Sequence, residues 1–179
     1  CEHDWESRTI VCAFPFGGTI SRLITIFKDH HERRLAPVLA AAMASSLDEA
    51  ASWPAQDGRP RFEPEGLDAI CFVPATAKAY IGRGFDHMEL VSRELAALTG
   101  IPLADVLARS SARDQRQLDR WERRENISGT IGTVTDVSGL RLLLVDDVIT
   151  SGASMREATR ALLERGAAEV SCCAFARVW

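Results

Sequence analysis

The chain has 179 residues, the length of one ordinary domain. Its 46% hydrophobic and 26% charged residues are close to globular averages and exclude a disordered, collagen-like or low-complexity protein. The net charge of −4 argues against a dedicated nucleic-acid-binding protein, which usually carries a basic face. The longest apolar run, residues 35–44, is about half of the ~20 residues that a membrane span requires, and the first ten residues contain no secretory signal. We therefore expect a cytoplasmic protein without a membrane span.

The first 66 residues predict one strand and two helices. Residues 9–14 are strand-like, and apolar residues at helical spacing follow over 20–27. A second helix is predicted over 34–51. The next segment, residues 52–66, contains three prolines and two glycines, which indicate a linker. We therefore divide the one domain into an N-terminal portion, residues 1–66, and a main portion, residues 67–179.

Strands and helices alternate after the linker. The predicted elements are strand 69–73, helix 85–99, strand 103–107, a polar stretch 109–129, strands 131–134 and 140–145, helix 154–165 and strand 170–175. Gly100 and Gly166 end the two helices. This alternation predicts an α/β fold with a parallel sheet flanked by helices, in which binding sites lie at the carboxyl ends of the strands.

The most informative segment is LRLLLVDDVITSGAS, residues 140–154. Its apolar run ends in Asp146 and Asp147, which we expect to be solvated at the sheet edge where ligands bind. Backbone amides of the following turn and the amino terminus of the next helix form a cradle for a phosphate, where glycine allows a backbone conformation or a close approach that a side chain would block. Carboxylates beside a phosphate are unfavourable unless they bind sugar hydroxyls or a divalent cation, so the segment favours a ribose 5-phosphate ligand. The predicted phosphate loop consists of Thr150, Ser151, Gly152, Ala153 and Ser154.

Two other protein classes contain similar segments. A Walker A loop needs a lysine that is absent here. A response-regulator receiver opens with such a strand, whereas only 32 residues follow Asp147 in this chain. A capped turn with a solvated acidic pair is the remaining structural explanation.

The segment VDDVITSGAS resembles the phosphoribosyl pyrophosphate (PRPP) signature of type I phosphoribosyltransferases. Three further segments resemble the competence protein F (ComF) family: AFPFGGTISRLITIFKDHHERRLAP, with Lys28 at a lysine position, VPATAKAYIGRGFDHMELV, and QRQLDRWERRENISG. Together they cover about residues 12–179. The resemblance implies a phosphoribosyltransferase-like sheet, a small N-terminal hood (here residues 1–66) and a mobile catalytic loop.

ComF-family proteins often begin with a zinc ribbon of paired Cys-x-x-Cys motifs. The five cysteines of this chain include no such pair, and only Cys1 could be a remnant, so we predict no zinc site. Cys12, Cys71 and the vicinal pair Cys172–Cys173 lie in apolar, strand-like runs. We expect these thiols to be buried and reduced.

Displacement of pyrophosphate at the anomeric carbon of PRPP needs charge stabilisation rather than a protein nucleophile. We assign the ribose and Mg²⁺ to Asp146 and Asp147. The loop after strand 69–73 is placed to bind pyrophosphate. Its candidates are Pro74, Ala75, Thr76, Ala77, Lys78 and Arg83. Two alternatives remain open: Lys78 is merely solvated, and Arg83 only stabilises the turn in which it lies.

Residues 109–125 contain six arginines and four acidic residues. Interleaved charges of this kind are typical of a solvated helix face. The competing interpretation is a lid that folds over the pyrophosphate. The lid candidates are Gln115, Arg123, Arg124 and Asn126.

The resemblance implies a transferase that moves ribose 5-phosphate from PRPP to an acceptor, with release of pyrophosphate. The acceptor cannot be identified from the sequence. The alternative is a non-catalytic PRPP- or nucleotide-binding module that acts in DNA uptake during natural competence. The implied partners are PRPP or another small molecule containing ribose 5-phosphate, and competence-machinery proteins or single-stranded DNA. The oligomeric state stays open.

Overall fold

The computed structural model describes residues 5–54, 58, 60–109 and 130–179. Its strands are β1 Ile10–Pro15, β2 Ala69–Phe72, β3 Leu107–Arg109, β4 Ile131–Thr133, β5 Arg141–Ile149 and β6 Glu169–Arg177. Its α-helices are α1 Gly18–Asp29, α2 Ala36–Ser52, α3 Ala77–Arg83, α4 His87–Thr99 and α5 Ala153–Glu164, and a 3₁₀ turn spans Arg33–Leu35. Within the described ranges, no helix is long and apolar enough to cross a membrane.

Four strands form one parallel sheet in the order β1-β6-β5-β2. Pairing of β5 with β6 places Leu144 opposite Cys172, and pairing with β2 places Leu144 opposite Cys71. Strand β1, from the N-terminal portion, pairs with the C-terminal strand β6 at the edge of the sheet. The parallel α/β sheet predicted from the alternation of elements is confirmed. The division at residue 66, with a hood before it, stays a prediction.

The two faces of the sheet are covered by different helices. Leu143 and Val145 of β5 pack into a core with α1, α2 and α4, whereas Leu142 and Leu144 pack into a second core with α5. Alternate side chains of a strand point to opposite faces, so a strand buried on both faces must be apolar at successive positions. This explains the uninterrupted run of β5. Each fully buried leucine contributes about 1.5–3 kcal/mol to stability.

Two predicted strands are not among the four strands of this sheet. Leu103 makes a single parallel bridge to Ile70, and β3 pairs with β4 as an antiparallel ribbon. In the ribbon, Leu107 and Ile131 are buried while Ala108 is exposed. Such a segment has one apolar face and covers the side of α5, whereas a central strand needs two apolar faces. The strand predicted over 131–134 is therefore present as β4, whereas of the strand predicted over 103–107 only Leu107 belongs to β3.

Strand β5 extends beyond its predicted end at residue 145. Asp146 and Val148 pair with Ala174 and Ala176 of β6, so both acidic residues lie within the strand. Helix α3 was not predicted, because none of its residues is buried and it has no apolar periodicity. Its polar signals are the Thr76 hydroxyl, which accepts the Ala79 N–H at 3.2 Å, and Gly84, which ends the helix with a φ of 75°.

Candidate functional site

The carboxyl ends of β2 and β5 lie side by side, because the two strands are parallel neighbours. The loops that follow these strands therefore meet at one edge of the sheet. A cavity of about 310 Å³ opens there. Among the described residues, it is lined by Lys28, Val73, Pro74, Ala75, Thr76, Ala79, Arg83, His87, Arg109, Asp146, Asp147, Val148, Thr150 and Ser154.

The predicted phosphate loop lines a second, smaller cavity of about 80 Å³ between the end of β5 and the start of α5. Ser154 and Thr150 border both cavities. Gly152 is the N-cap residue of α5 and has a φ of 76°, a left-handed conformation that favours glycine. The turn therefore directs the amino terminus of α5 toward the space in which a phosphate is expected.

Gly152 is also closely approached by another part of the chain. A Cβ atom at this position would lie 2.5 Å from Cη2 of Trp5 and 3.0 Å from Nη1 of Arg156. The guanidinium of Arg156 lies 5.1 Å from the centre of the Trp5 ring system. The close approach predicted at this glycine is therefore made, among the described residues, by the Trp5 side chain.

The two adjacent carboxylates have different environments. The Asp147 side chain is only 6% exposed, and its Oδ2 atom contacts both Lys28 Nζ and His87 Nε2. Asp146 borders both cavities, and its Oδ1 accepts the backbone N–H of Asp147 at 2.9 Å. The expectation that both acids are solvated was wrong for Asp147, because β5 continues through it and turns it toward α1 and α4.

These environments shift the two pKa values in opposite directions. Burial opposes ionisation of Asp147, but the hydrogen bond from His87 and the charge of Lys28 outweigh it and lower the pKa of Asp147 to about 2. Burial and the neighbouring charge of Asp147 raise the pKa of Asp146 well above its usual value. Lys28 and Arg109 oppose that increase without cancelling it. Ionisation of Asp146 is therefore less favourable than that of Asp147.

The predicted pyrophosphate loop is partly occupied by internal hydrogen bonds. The Ala75 N–H donates to Asp86 Oδ2 at 2.7 Å, and the Pro74 carbonyl accepts from Arg109 Nε at 3.2 Å. Thr76 is the N-cap residue of α3, whose first residue is Ala77. Lys78 is exposed on α3 and does not line the cavity, whereas Arg83, at the end of the same helix, does.

Three of the lining residues with polar or charged side chains were not among the predicted site residues: Lys28, His87 and Arg109. Lys28 was signalled only as one of two lysines in the chain and by its place in the ComF-like segment. Arg109 Nη2 donates to Ser154 Oγ at 3.3 Å and thereby joins the two loops. His87 lies in the ComF-like segment VPATAKAYIGRGFDHMELV, but no role was predicted for it. The lid candidates Gln115, Arg123, Arg124 and Asn126 lie outside the described residues.

The described thiols agree with the sequence analysis at three of four positions. Cys71, Cys172 and Cys173 are buried, and Cys12 is half-buried. Within the described ranges, no group of three or more histidine, cysteine, aspartate or glutamate residues could hold a metal ion.

Comparison with known proteins places the chain in a family. A profile of the phosphoribosyl transferase domain family matches residues 82–178, which is more than half of the chain. The chain is 31% identical over 105 residues to DNA utilization protein YhgH of Salmonella typhi, a match that covers 58% of this chain and 46% of that protein. It is 30% identical over 115 residues to competence protein F of Haemophilus influenzae, covering 62% of this chain and 50% of that protein.

A solved structure, purine phosphoribosyltransferase from Pyrococcus horikoshii, is 19% identical, covers 79% of this chain and 73% of its own, and has a TM-score of 0.45. The chain spans about half the length of the two curated relatives. The resemblance stated from the PRPP signature and its companion segments is confirmed. The chain belongs to the phosphoribosyl transferase domain family, within which it is related to competence protein F.

Proposed function

We propose that the chain binds PRPP at the carboxyl edge of the sheet and transfers its ribose 5-phosphate group to an acceptor. In this reaction the bond between the anomeric carbon and the pyrophosphate oxygen breaks, a bond to the acceptor forms, and pyrophosphate leaves. The observation that carries the proposal is the junction of two cavities at Asp146: the smaller contains the phosphate loop, and the larger contains three cationic side chains.

The two ends of PRPP differ in charge, and so do the two cavities. The amino terminus of α5 offers backbone N–H groups and the hydroxyls of Thr150, Ser151 and Ser154, which suit the 5-phosphate. Lys28, Arg83 and Arg109 line the larger cavity, where they would neutralise the pyrophosphate as its negative charge increases. Asp146 lies between the two groups, where its carboxylate would accept hydrogen bonds from the ribose hydroxyls.

The residues present are compatible with a magnesium ion. Mg²⁺ is typically held by one or two carboxylates together with water and substrate phosphate oxygens, so a dedicated cluster of ligands is not required. Asp146 borders both cavities and a divalent cation there would favour its ionised form, whereas Asp147 already contacts Lys28 and His87. We infer that Asp146 is the main protein ligand and that Asp147 orients the residues around it. When bound, Mg²⁺ would neutralise the charge on pyrophosphate oxygens and favour the departure of pyrophosphate.

A second candidate function is a PRPP- or nucleotide-binding module without transferase activity. The names of the two relatives, DNA utilization protein and competence protein F, favour a role in DNA uptake. Single-stranded DNA or competence-machinery proteins would then be the partners. The cytoplasmic location stays a prediction.

The decisive experiment measures binding and turnover separately. Calorimetry with PRPP in the presence and absence of Mg²⁺ tests the site, and pyrophosphate release from PRPP with a panel of nucleobases and amines tests the reaction. Binding together with release for one acceptor supports the transferase. Binding without release for any acceptor supports the module. Absence of PRPP binding would overturn both the transferase and a PRPP-binding module.

A further inference from the structure

Four side chains from four different elements form a continuous line of polar contacts along the larger cavity. Lys28 of α1 contacts Asp147 Oδ2 of β5, and the same oxygen lies 2.5 Å from His87 Nε2 of α4. The other ring nitrogen of His87, Nδ1, lies 2.9 Å from Arg83 Nη1 at the end of α3. His87 is therefore the link between the acidic end of β5 and the arginine.

The chemistry of the two neighbours determines which nitrogen of His87 carries the proton. A guanidinium has only donors, so Arg83 must donate and Nδ1 must accept. The proton of the neutral ring then lies on Nε2 and is donated to Asp147. Asp86 Oδ1 is 3.7 Å from Nδ1, which is too far for a competing hydrogen bond.

Packing holds the ring in this orientation. The His87 side chain is 8% exposed, and its ring centre lies 6.1 Å from that of Phe27, which is fully buried. Asp86 precedes His87 and accepts the N–H groups of Met88 and Ala75, so the start of α4 is attached to the loop after β2. The imidazole therefore has little freedom to leave either partner.

We propose that His87 is a positioning residue that holds the Arg83 guanidinium at the cavity wall, directed toward the pyrophosphate end of PRPP. It does so by accepting a hydrogen bond from Arg83 at Nδ1 while it donates one to Asp147 from Nε2. The proposal rests on the proposed PRPP site. The α5 amino terminus and its loop would hold the 5-phosphate, and Arg83 does not border that smaller cavity. Arg83 lines only the larger cavity, beside Lys28.

Two substitutions separate the two hydrogen bonds. In His87→Gln, the side-chain amide can reach the place of Nε2 and still donate to Asp147, but the acceptor for Arg83 is lost. In His87→Asn, the side-chain oxygen can occupy the place of Nδ1 and still accept from Arg83, but the donor to Asp147 is lost. His30→Gln, an exposed histidine at the end of α1, is the matched control.

The first measurement uses the free protein. Nitrogen-15 NMR of the imidazole distinguishes the two neutral tautomers, and we expect the proton of His87 on Nε2. A proton on Nδ1 would overturn the proposal, because Arg83 would then have no acceptor there.

The second measurement is calorimetry with Mg²⁺–PRPP and with ribose 5-phosphate, which lacks the pyrophosphate. We expect His87→Gln to weaken PRPP binding roughly tenfold and to leave ribose 5-phosphate binding unchanged. His87→Asn should retain more of the PRPP affinity than His87→Gln, and His87→Gln should have no further effect in an Arg83→Met background.

The outcomes separate this proposal from the proposed function. If the wild-type chain binds PRPP and His87→Gln binds it equally well, or loses ribose 5-phosphate to the same extent, the positioning role is wrong and the PRPP site stands. If the wild-type chain does not bind PRPP, the proposed function fails and this proposal fails with it.

Discussion

The indole of Trp5 packs against Gly152, the N-cap residue of α5. A Cβ atom on residue 152 would lie within 2.8 Å of two atoms of the ring. The segment that precedes β1 thus packs against the predicted phosphate loop, although the two are far apart in the sequence. A side chain at position 152 would meet both an unfavourable backbone conformation and this ring.

We expect Gly152→Ala to lower the free energy of unfolding by about 1–3 kcal/mol, because backbone strain and the clash with Trp5 add together. Gly100→Ala is the matched control, since Gly100 has a similar φ of 73° and open space around its Cβ position. In a Trp5→Ala background, Gly152→Ala should lower the free energy of unfolding no more than Gly100→Ala does. Chemical denaturation measures all four variants. Equal costs for Gly152→Ala and Gly100→Ala in the wild-type background would contradict the packing.

The two acidic residues should respond in opposite ways to the same substitution. Asp146→Asn removes a charge that is repelled by Asp147, so we expect the empty protein to melt at a higher temperature. Asp147→Asn removes the negative charge that Lys28 and His87 share, so we expect a lower melting temperature. Both variants should lose Mg²⁺-dependent PRPP affinity. Thermal unfolding without ligand is the measurement, and shifts of the same sign would contradict the assignment.

The pH dependence of stability follows from the same two pKa values. For Asp147, a pKa of about 2 in the folded protein against an ordinary value of 3.8 means that the folded state retains fewer protons. The ionised group therefore contributes about 2 kcal/mol above pH ~4, and this contribution is lost as the pH falls toward 2. For Asp146 the pKa is raised in the folded protein, so stability should decrease as the pH rises above the ordinary pKa of an aspartate.

Denaturation between pH 2 and pH 7 checks both signs. The difference in unfolding free energy between wild type and Asp147→Asn should shrink as the pH falls toward 2, because the wild-type carboxylate then becomes protonated. Asp146→Asn should lack the decrease in stability with rising pH. A constant difference between Asp147→Asn and wild type over the whole range would contradict the ion pair.

The two lysines of the chain should differ in their effect on PRPP binding. Lys28 lines the larger cavity and contacts Asp147, whereas Lys78 is exposed on α3 and does not line it. We expect Lys28→Met to weaken PRPP binding roughly tenfold or more, because a partly buried charge is lost. Lys78→Met should change PRPP binding little. Calorimetry with Mg²⁺–PRPP measures both. A large loss in Lys78→Met would instead support the pyrophosphate role predicted for that residue.

The thiols provide a probe of the folded core. Burial raises the pKa of Cys172 to about 11 and also raises the pKa of Cys71 and Cys173, so these three thiols should be unreactive at neutral pH. The half-buried Cys12 should react sooner with an alkylating reagent. Peptide mass spectrometry after a short exposure measures each site. Early modification of Cys71 would indicate that β2 is not buried as described.

Several features of the site could be read from the sequence because they are local. The run Leu142 to Val145, the two acids and the small residues before α5 are consecutive along the chain, and each has a direct physical meaning. An apolar run long enough to be buried on both faces predicts a central strand, and acids at its carboxyl end predict a ligand site. The phosphate loop and the family resemblance both depend on this one segment.

Other features depended on how distant elements pack. Whether a strand-end aspartate is solvated is decided by what lies against it, and here α1 and α4 bring Lys28 and His87 to Asp147 from 119 and 60 positions away. Residues 107 and 131–133 likewise carry a local strand signal, but their pairing with each other as the antiparallel ribbon β3–β4 depends on tertiary contacts.

The sequence by itself determined the parallel α/β class and the position of the acidic pair and the following turn at the end of β5, because contiguous residues specify them through local backbone geometry and apolar burial. Only the tertiary structure decided which acid is paired, which lysine borders the cavity and which side chain approaches Gly152. Charge pairing and close packing depend on distances between atoms, and the chain brings those atoms together only when separate elements fold onto the same edge of the sheet.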